Sequence, residues 1–169
     1  MAITDFDPPE RFVAGTVGPP GGRTFFLQAR GGGRLVSVSI EKVQVGILAD
    51  RIADLLDSVG GIEGSDAVAE HAADNEALDT PIEDEFRVDT VSLAWDPDRS
   101  SVVIECHDRD PEEDAGGETV RVVLDPTSAR AFARRCQAII AAGRPPCPFC
   151  GQPLDPEGHI CPRANGYKR

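Results

Sequence analysis

The 169-residue chain has few basic residues and no long hydrophobic run. Lys and Arg total 17 against 29 Asp and Glu, which gives a formal net charge of −12 at pH 7. Phosphate neutralisation needs Lys and Arg, so this deficit argues against a general affinity for nucleic acid or for an anionic membrane surface. No stretch approaches the roughly 18 apolar residues of a membrane span. The N-terminus, MAITDFDPPERF, lacks the basic flank and apolar run of a signal peptide.

Aromatic residues and cysteines are also scarce. Aromatics make up 5% of the chain within a hydrophobic content of 40%, so the core must be built mainly from Val, Ile, Leu and Ala. The five cysteines are an odd number, and three of them fall between positions 147 and 161. This is not the pattern of a disulfide framework, and it predicts a reducing, cytoplasmic location.

What the sequence does contain is hydrophobic periodicity. In a first unit, residues 8–60, alternating apolar residues predict three strands: 11–17, 24–30 and 36–40. Glycine- and proline-rich turns separate these strands, and hairpin turns are favoured over phosphate-binding loops because strands follow both turns. From residue 41 the apolar spacing becomes helical, and Gly60-Gly61 ends the helix.

The same order of elements recurs after an acidic segment. Residues 61–84 contain eight acidic residues and no Lys or Arg, which predicts a solvated linker. In a second unit, residues 85–144, the pattern predicts three strands, an acidic loop over 108–118, and a helix that begins at Asp125-Pro126. The three strands span 86–95, 101–106 and 120–124.

The two units align with each other at an offset of 84 positions. Residues 36–56 match residues 120–140, so that Val36 falls on Val120 and Ile40 on Leu124. The sequence therefore predicts an α+β fold of two duplicated βββα units packed as a pseudo-two-fold pair. A small zinc ribbon over residues 145–169 follows the second unit.

The ribbon is predicted from the spacing of four side chains that suit zinc. Cys147 and Cys150 form a C-x₂-C knuckle, and His159 and Cys161 follow at i, i+2 spacing. Four such ligands saturate Zn²⁺, which indicates a structural rather than a catalytic ion. Two alternatives stay open: a redox pair at 147 and 150, or a site that borrows a ligand from residues 106, 107 or 136.

Three stretches of the chain resemble a family of proteins from actinobacteria. The stretches are RFVAGTVG, RTFFLQARGGGRLVSVSIEK and CPFCGQPLDPEGHICPRANGYKR. The family is one of uncharacterised proteins that are labelled only as a conserved repeat protein. The resemblance implies a cytoplasmic protein of about this size, and it brings no activity and no catalytic residues.

Other candidate sites are weaker. Arg23, Arg30 and Arg34 flank the glycine-rich turns and are candidate anion-binding residues. Glu105 and His107 lie at a strand end, but no nucleophile or convergent partner can be named for them.

The sequence favours a non-enzymatic, zinc-stabilised binding or adaptor protein that acts through a protein partner. Arg163, Tyr167 and Lys168 are the candidate contact residues on the slightly basic tail. One alternative is an enzyme or small-ligand-binding protein with a site between the two units. A second is nucleic-acid binding through the tail, which the low positive charge disfavours.

Overall fold

The computed structural model describes residues 2–19, 22–59, 74, 76–110, 112 and 117–142. In these residues the chain forms two four-stranded sheets and two long helices, so the α+β class is confirmed. The elements of the first half are β1 (Ala2–Phe6), β2 (Arg11–Val17), β3 (Thr24–Gly31), β4 (Arg34–Ile40) and α1 (Lys42–Val59). Those of the second half are β5 (Asp84–Arg87), β6 (Thr90–Asp96), β7 (Ser101–His107), β8 (Glu118–Leu124) and α2 (Pro126–Ala141).

Local sequence signals set the turns and caps as expected. The β3–β4 hairpin closes through Gly32 and Gly33, whose φ values of 59° and 77° match the two positive φ angles that a type I′ turn requires. Helix α2 begins at Pro126, after an N-cap in which the Asp125 carboxylate accepts a hydrogen bond from the Ser128 amide at 2.7 Å.

Each sheet combines three antiparallel strands from one half of the chain with one parallel strand from the other half. One sheet has the order β2-β3-β4-β5, and β5 pairs with β4 in parallel. The other has the order β1-β8-β7-β6, and β1 pairs with β8 in parallel. The two halves therefore exchange their first strands, so neither sheet is completed by its own half.

The prediction of one strand over residues 86–95 was wrong, and the exchange explains why. The Val88 amide donates to Ser39 O in one sheet, whereas the Asp89 amide donates to His107 O in the other, both at 2.8 Å. The chain thus crosses between sheets at this point, and the apolar run is divided into β5 and β6. Strand β1 was not predicted at all.

One hydrophobic core joins the two sheets and the two helices. Its most buried members include Leu27 of β3, Ile52 of α1, Ile104 of β7 and Val122 of β8. The helices contact each other, and each also packs on the first antiparallel strand of the other half: α1 on β6, and α2 on β2. The core thus depends on both halves, as the sheets do.

The predicted zinc segment, residues 145–169, lies outside the described residues. Neither of the two long helices described here combines the length and apolar character needed to cross a membrane.

Candidate functional site

A concavity shared by the two halves lies where the exchanged strands meet. It has a volume of about 410 Å³, and we call it the seam cavity. Strands β1 and β8 form one side and β4 and β5 the other, because β1 and β5 are the edge strands of the two sheets. Its lining residues are Thr4, Arg34, Leu35, Val36, Glu85, Phe86, Glu118, Thr119 and Val120.

The seam cavity is lined by charges of both signs. Arg34 supplies the positive charge, and its guanidinium carbon lies 5.5 Å from the centre of the Phe6 ring. Glu85 and Glu118 supply the negative charges. Among the described residues, none of these three side chains takes part in an ion pair. The cavity can therefore offer charged contacts to a ligand without breaking an existing salt bridge.

The three arginines of the anion-binding hypothesis lie in different environments. Arg23 donates to Ile139 O at the end of α2 at 2.7 Å and stacks on Phe25. Arg30 lies at the other end of β3, about 20 Å away for a strand of this length, and pairs with Asp79 at 3.0 Å. Arg34 belongs to the seam cavity. The structure thus does not bring the three guanidinium groups together on one ligand position.

A second set of charged residues was not anticipated from the sequence. Arg11 of β2 and Arg135 of α2 converge on Asp74, and Arg11 also binds Asp79. We call these four residues the anchor cluster. The Arg11 and Arg135 side chains are only 8% and 11% exposed. The cluster fixes residue 74 and residues 76–79, in the later part of the acidic segment, against β2.

Arg11 makes the larger share of these bonds. Its Nε donates to Asp74 Oδ2 at 2.6 Å, and its Nη2 donates to the carbonyl oxygens of Glu76 and Ala77 at 3.0 and 2.9 Å. Arg135 donates through Nη1 to Asp74 O at 2.6 Å and through Nε to Ala14 O at 2.7 Å. These are charge-assisted bonds, the strongest type available to a surface segment.

Buried Gln28 adds neutral bonds to the same segment. Its Nε2 donates to Asp79 O at 2.9 Å, and its Oε1 accepts from the Asp79 amide at 2.7 Å. Both amide atoms of the glutamine are thus matched to backbone groups of the segment, which fixes the position of residue 79 relative to β3.

The environment of the anchor cluster shifts the pKa values of its charged groups. Hydrogen bonding to Arg11 lowers the pKa of Asp74 below its usual value. The pKa of Arg11 is raised, chiefly by the bond to Asp74. Desolvation lowers the pKa of Arg135, and nearby Arg11 acts in the same direction. Asp74 is therefore the shared counter-ion of two largely buried guanidinium groups.

A smaller cavity of about 140 Å³ lies beside the anchor cluster. Arg11 and Arg135 line it together with Glu10 and Asp74, so the charges around it balance. Because both cations already pair with Asp74, we interpret this region as an anchor for the acidic segment, not as a ligand site.

His107 lies in a polar cluster that the sequence could not identify. Its Nδ1 is 2.8 Å from Thr119 Oγ1, and its Nε2 is 3.4 Å from Ser92 Oγ and 3.5 Å from Glu105 Oε1. The ring is buried, and both nitrogens have hydroxyl partners on neighbouring strands. The cluster forms because the strand register places Ser92 of β6 opposite Glu105 of β7. It also places His107 of β7 opposite Thr119 of β8. Only the strand register could have revealed these partners.

The described residues contain no group of three His, Cys, Asp or Glu side chains that could hold a metal ion. Cys106 and Cys136 are free thiols buried in the core. Desolvation raises the pKa of each thiol to about 12, so both are protonated and poor ligands at neutral pH. Cys147, Cys150, His159 and Cys161, like Arg163, Tyr167 and Lys168, lie outside the described residues.

Comparison with known proteins identifies a family but no characterised relative. No curated protein and no solved structure matches the chain significantly. The family described as "Protein of unknown function (DUF3090)" matches residues 4–161, which is nearly the whole chain. The matched range includes both described sheets, apart from the first two residues of β1, and all four predicted zinc ligands. The chain therefore belongs to the DUF3090 family of proteins of unknown function.

Proposed function

We propose that this chain is a non-enzymatic binding protein with two binding regions. The first is the seam cavity, which takes a small zwitterionic molecule. The second is the C-terminal segment, which zinc stabilises and which contacts a protein partner. The first region is supported by the described structure and the second by the sequence alone, so the two are tested separately.

The observation that carries the ligand site is the seam cavity itself. Its volume of about 410 Å³ lies in the range of small-molecule sites, roughly 300–1,000 Å³. Arg34 offers a fork of donors to a carboxylate, whereas Glu85 and Glu118 suit an ammonium group. Thr4 adds a hydroxyl group, and Phe86 adds an aromatic wall. This combination favours an amino acid or a similar molecule with separated charges.

Thermal denaturation with a panel of free amino acids tests the ligand site. A ligand at 100 times its Kd stabilises the folded state by about 2.7 kcal/mol, which raises the Tm by roughly 5–10 °C for a chain of this size. Arg34→Met should abolish the shift. Arg87→Met is the matched control, because Arg87 lies on β5, the strand next to the β4 strand of Arg34, but pairs with Glu41 and does not line the cavity. If Arg34→Met leaves a ligand-induced shift intact, the site is not this cavity.

The adaptor function is supported by the Cys147, Cys150, His159, Cys161 spacing and by the charge of the tail. We propose that these residues hold one structural Zn²⁺ and that Arg163, Tyr167 and Lys168 contact the partner. Burial of Cys106 and Cys136 supports the four-residue ligand set, because neither thiol is available to the ion. Structural zinc would supply much of the folding free energy of so short a segment.

Metal analysis and affinity purification test this second region. Purified protein should contain about one zinc per chain, and Cys150→Ser should lose it. Purification from the native cytoplasm should give a stoichiometric protein partner that is lost when residues 145–169 are deleted. Zinc retention by Cys150→Ser would show that the ligand set is wrong, and strong salt-dependent nucleic-acid binding would favour the nucleic-acid alternative.

We also propose that the two halves arose by duplication. Strands β4 and β8 begin at residues 34 and 118 and helices α1 and α2 at residues 42 and 126, which are both offsets of 84. The reciprocal pairing of β1 with β8 and of β5 with β4 supports a pseudo-two-fold relation. On this relation Arg34 corresponds to Glu118 and Val36 to Val120, so the seam cavity lies between equivalent strands.

A further inference from the structure

Helix α1 presents an apolar surface that the described residues leave uncovered. Val43 and Ile47 are 67% and 47% exposed, although most large aliphatic side chains of the fold are buried or half-buried. They are four positions apart and therefore lie on the same side of the helix. Gly46 lies between them on this side, and a Cβ built there would be 3.6 Å from Ile140 Cδ1 of α2. We call Val43, Ile47 and Ile140 the helix-pair face.

The chain leaves the described structure beside this face. Helix α2 ends at Ala141, one residue after Ile140. The remaining 27 residues, 143–169, therefore begin within one helical turn of the helix-pair face. Seven positions separate Ala142 from Phe149, and such a stretch spans up to about 25 Å when extended. A chain of this length allows Phe149 to reach Val43 and Ile47.

The C-terminal segment has apolar side chains and too few residues to bury them on its own. Phe149, Leu154 and Ile160 alternate with the proposed zinc ligands. A segment of this size held by one metal ion forms almost no core. Its large apolar residues therefore need a surface outside the segment, and the helix-pair face is an exposed apolar surface beside the end of α2.

Charge favours the same contact. Residues 143–169 contain four basic and two acidic residues, which gives a net charge of +2. Because the whole chain has a net charge of −12, residues 1–142 have a net charge of −14. Exposed Asp50 and Asp54 lie one and two turns beyond Ile47 on α1, and together with exposed Arg51 they leave this stretch of the helix with a net negative charge. A basic segment is thus attracted to the side of α1 that carries the exposed aliphatic residues.

We infer that residues 143–169 dock on the helix-pair face, with Phe149, Leu154 or Ile160 covering Val43 and Ile47. The inference rests on the proposed function for the zinc-bound form of the segment, but the contact itself involves none of the ligands. Docking would place the zinc segment at the end of α2.

Nuclear magnetic resonance on the labelled full-length chain tests the docking. We expect nuclear Overhauser contacts between the Phe149, Leu154 or Ile160 side chains and the methyl groups of Val43 or Ile47. The double variant Val43→Asp/Ile47→Asp should abolish these contacts and shift the resonances of residues 143–169. Ile3→Asp is the matched control, because Ile3 is also an exposed aliphatic residue but lies on β1. It should leave the tail resonances unchanged.

The outcomes separate this inference from the zinc proposal. If the wild type contains zinc but the tail resonances are the same in the double variant, docking is refuted and the zinc proposal stands. If the contacts are present without zinc, docking stands and the zinc proposal fails. Contacts that occur only between differently labelled chains in a mixed sample would show that a second copy covers the face, and this also refutes docking.

Discussion

Replacing Asp74 by Asn removes the charge that two buried guanidinium groups share. Asp74 Oδ2 accepts from Arg11 Nε, and its Oδ1 accepts from Arg11 Nη2, from Arg135 Nη1 at 3.4 Å and from the Glu76 amide. Because both oxygens accept hydrogen bonds from donors, either orientation of an Asn side chain places an NH₂ group against a donor. The substitution keeps the size of the side chain, so the expected loss is electrostatic.

The size of the expected loss in stability follows from how far the ion pairs of Asp74 are buried. Breaking a buried ion pair by removing one partner costs about 3–5 kcal/mol. The Asp74 side chain is 31% exposed, so water remains available to its neighbours, and we expect Asp74→Asn to lower the free energy of unfolding by about 1–3 kcal/mol. For a chain of this length, that corresponds to a decrease in Tm of about 2–12 °C.

Urea denaturation at pH 7 measures this loss, and its pH dependence gives a second readout. The pKa of Asp74 is lowered in the folded state, so its carboxylate stabilises the fold above the unfolded pKa of about 3.9. This stabilisation is lost as the pH falls through the lower, folded pKa. The difference in stability between wild type and Asp74→Asn should therefore be constant from pH 7 to about pH 5 and narrow below pH 4.

Asp57→Asn is the control for this prediction. Asp57 also pairs with an arginine, at 3.0 Å from Arg130 Nη2, but its side chain is 72% exposed. Such a surface pair contributes about 0.5 kcal/mol or less. If Asp74→Asn is no more destabilising than Asp57→Asn at pH 7, the anchor cluster does not stabilise the fold as argued.

Three further predictions concern single positions. Cys106 and Cys136 should not react with a thiol reagent at pH 8 until the chain unfolds, because burial raises the pKa of each thiol to about 12. Rapid labelling of either thiol in the folded protein would contradict this prediction. Gly15→Ala should destabilise the fold by about 1–3 kcal/mol, because its Cβ would be 2.5 Å from Leu78 Cγ, and adding Leu78→Ala should reduce the loss. If the losses in free energy of unfolding from the two substitutions are simply additive in chemical denaturation, the contact is refuted. Asp125→Ala should cost about 1 kcal/mol as a lost N-cap of α2, and an unchanged unfolding midpoint would count against that role.

The sequence was sufficient for elements whose partners are close in the chain. Strands β2, β3 and β4 follow one another through tight turns, so the period of two and the glycines at positions 32 and 33 define both the strands and their hairpins. Both ends of helix α1 could be predicted, because the apolar spacing changes at residue 41 and because glycine follows Val59.

Strands β1 and β5 could not be predicted, because long-range pairing defines them. Strand β1 is five residues long and pairs with residues 118–122, and β5 is four residues long and pairs with β4. Neither has a hairpin turn that links it to its partner. The seam cavity depends on both pairings, so no local pattern could have placed Arg34 near Glu118. Arg11 and Asp74 likewise meet across a sequence separation of 63 residues.

The exchange of β1 and β5 links the geometry of the seam cavity to the relative position of the two halves. Each exchanged strand is hydrogen-bonded to one half and covalently joined to the other, so movement of the halves relative to each other must strain the connections at residues 7–10 and 88–89. A ligand held between Arg34 on β4 and Glu118 on β8 would add a link between the same two sheets. Ligand affinity and cohesion of the two halves are then coupled, since whatever loosens the sheets also separates the charges that the ligand contacts.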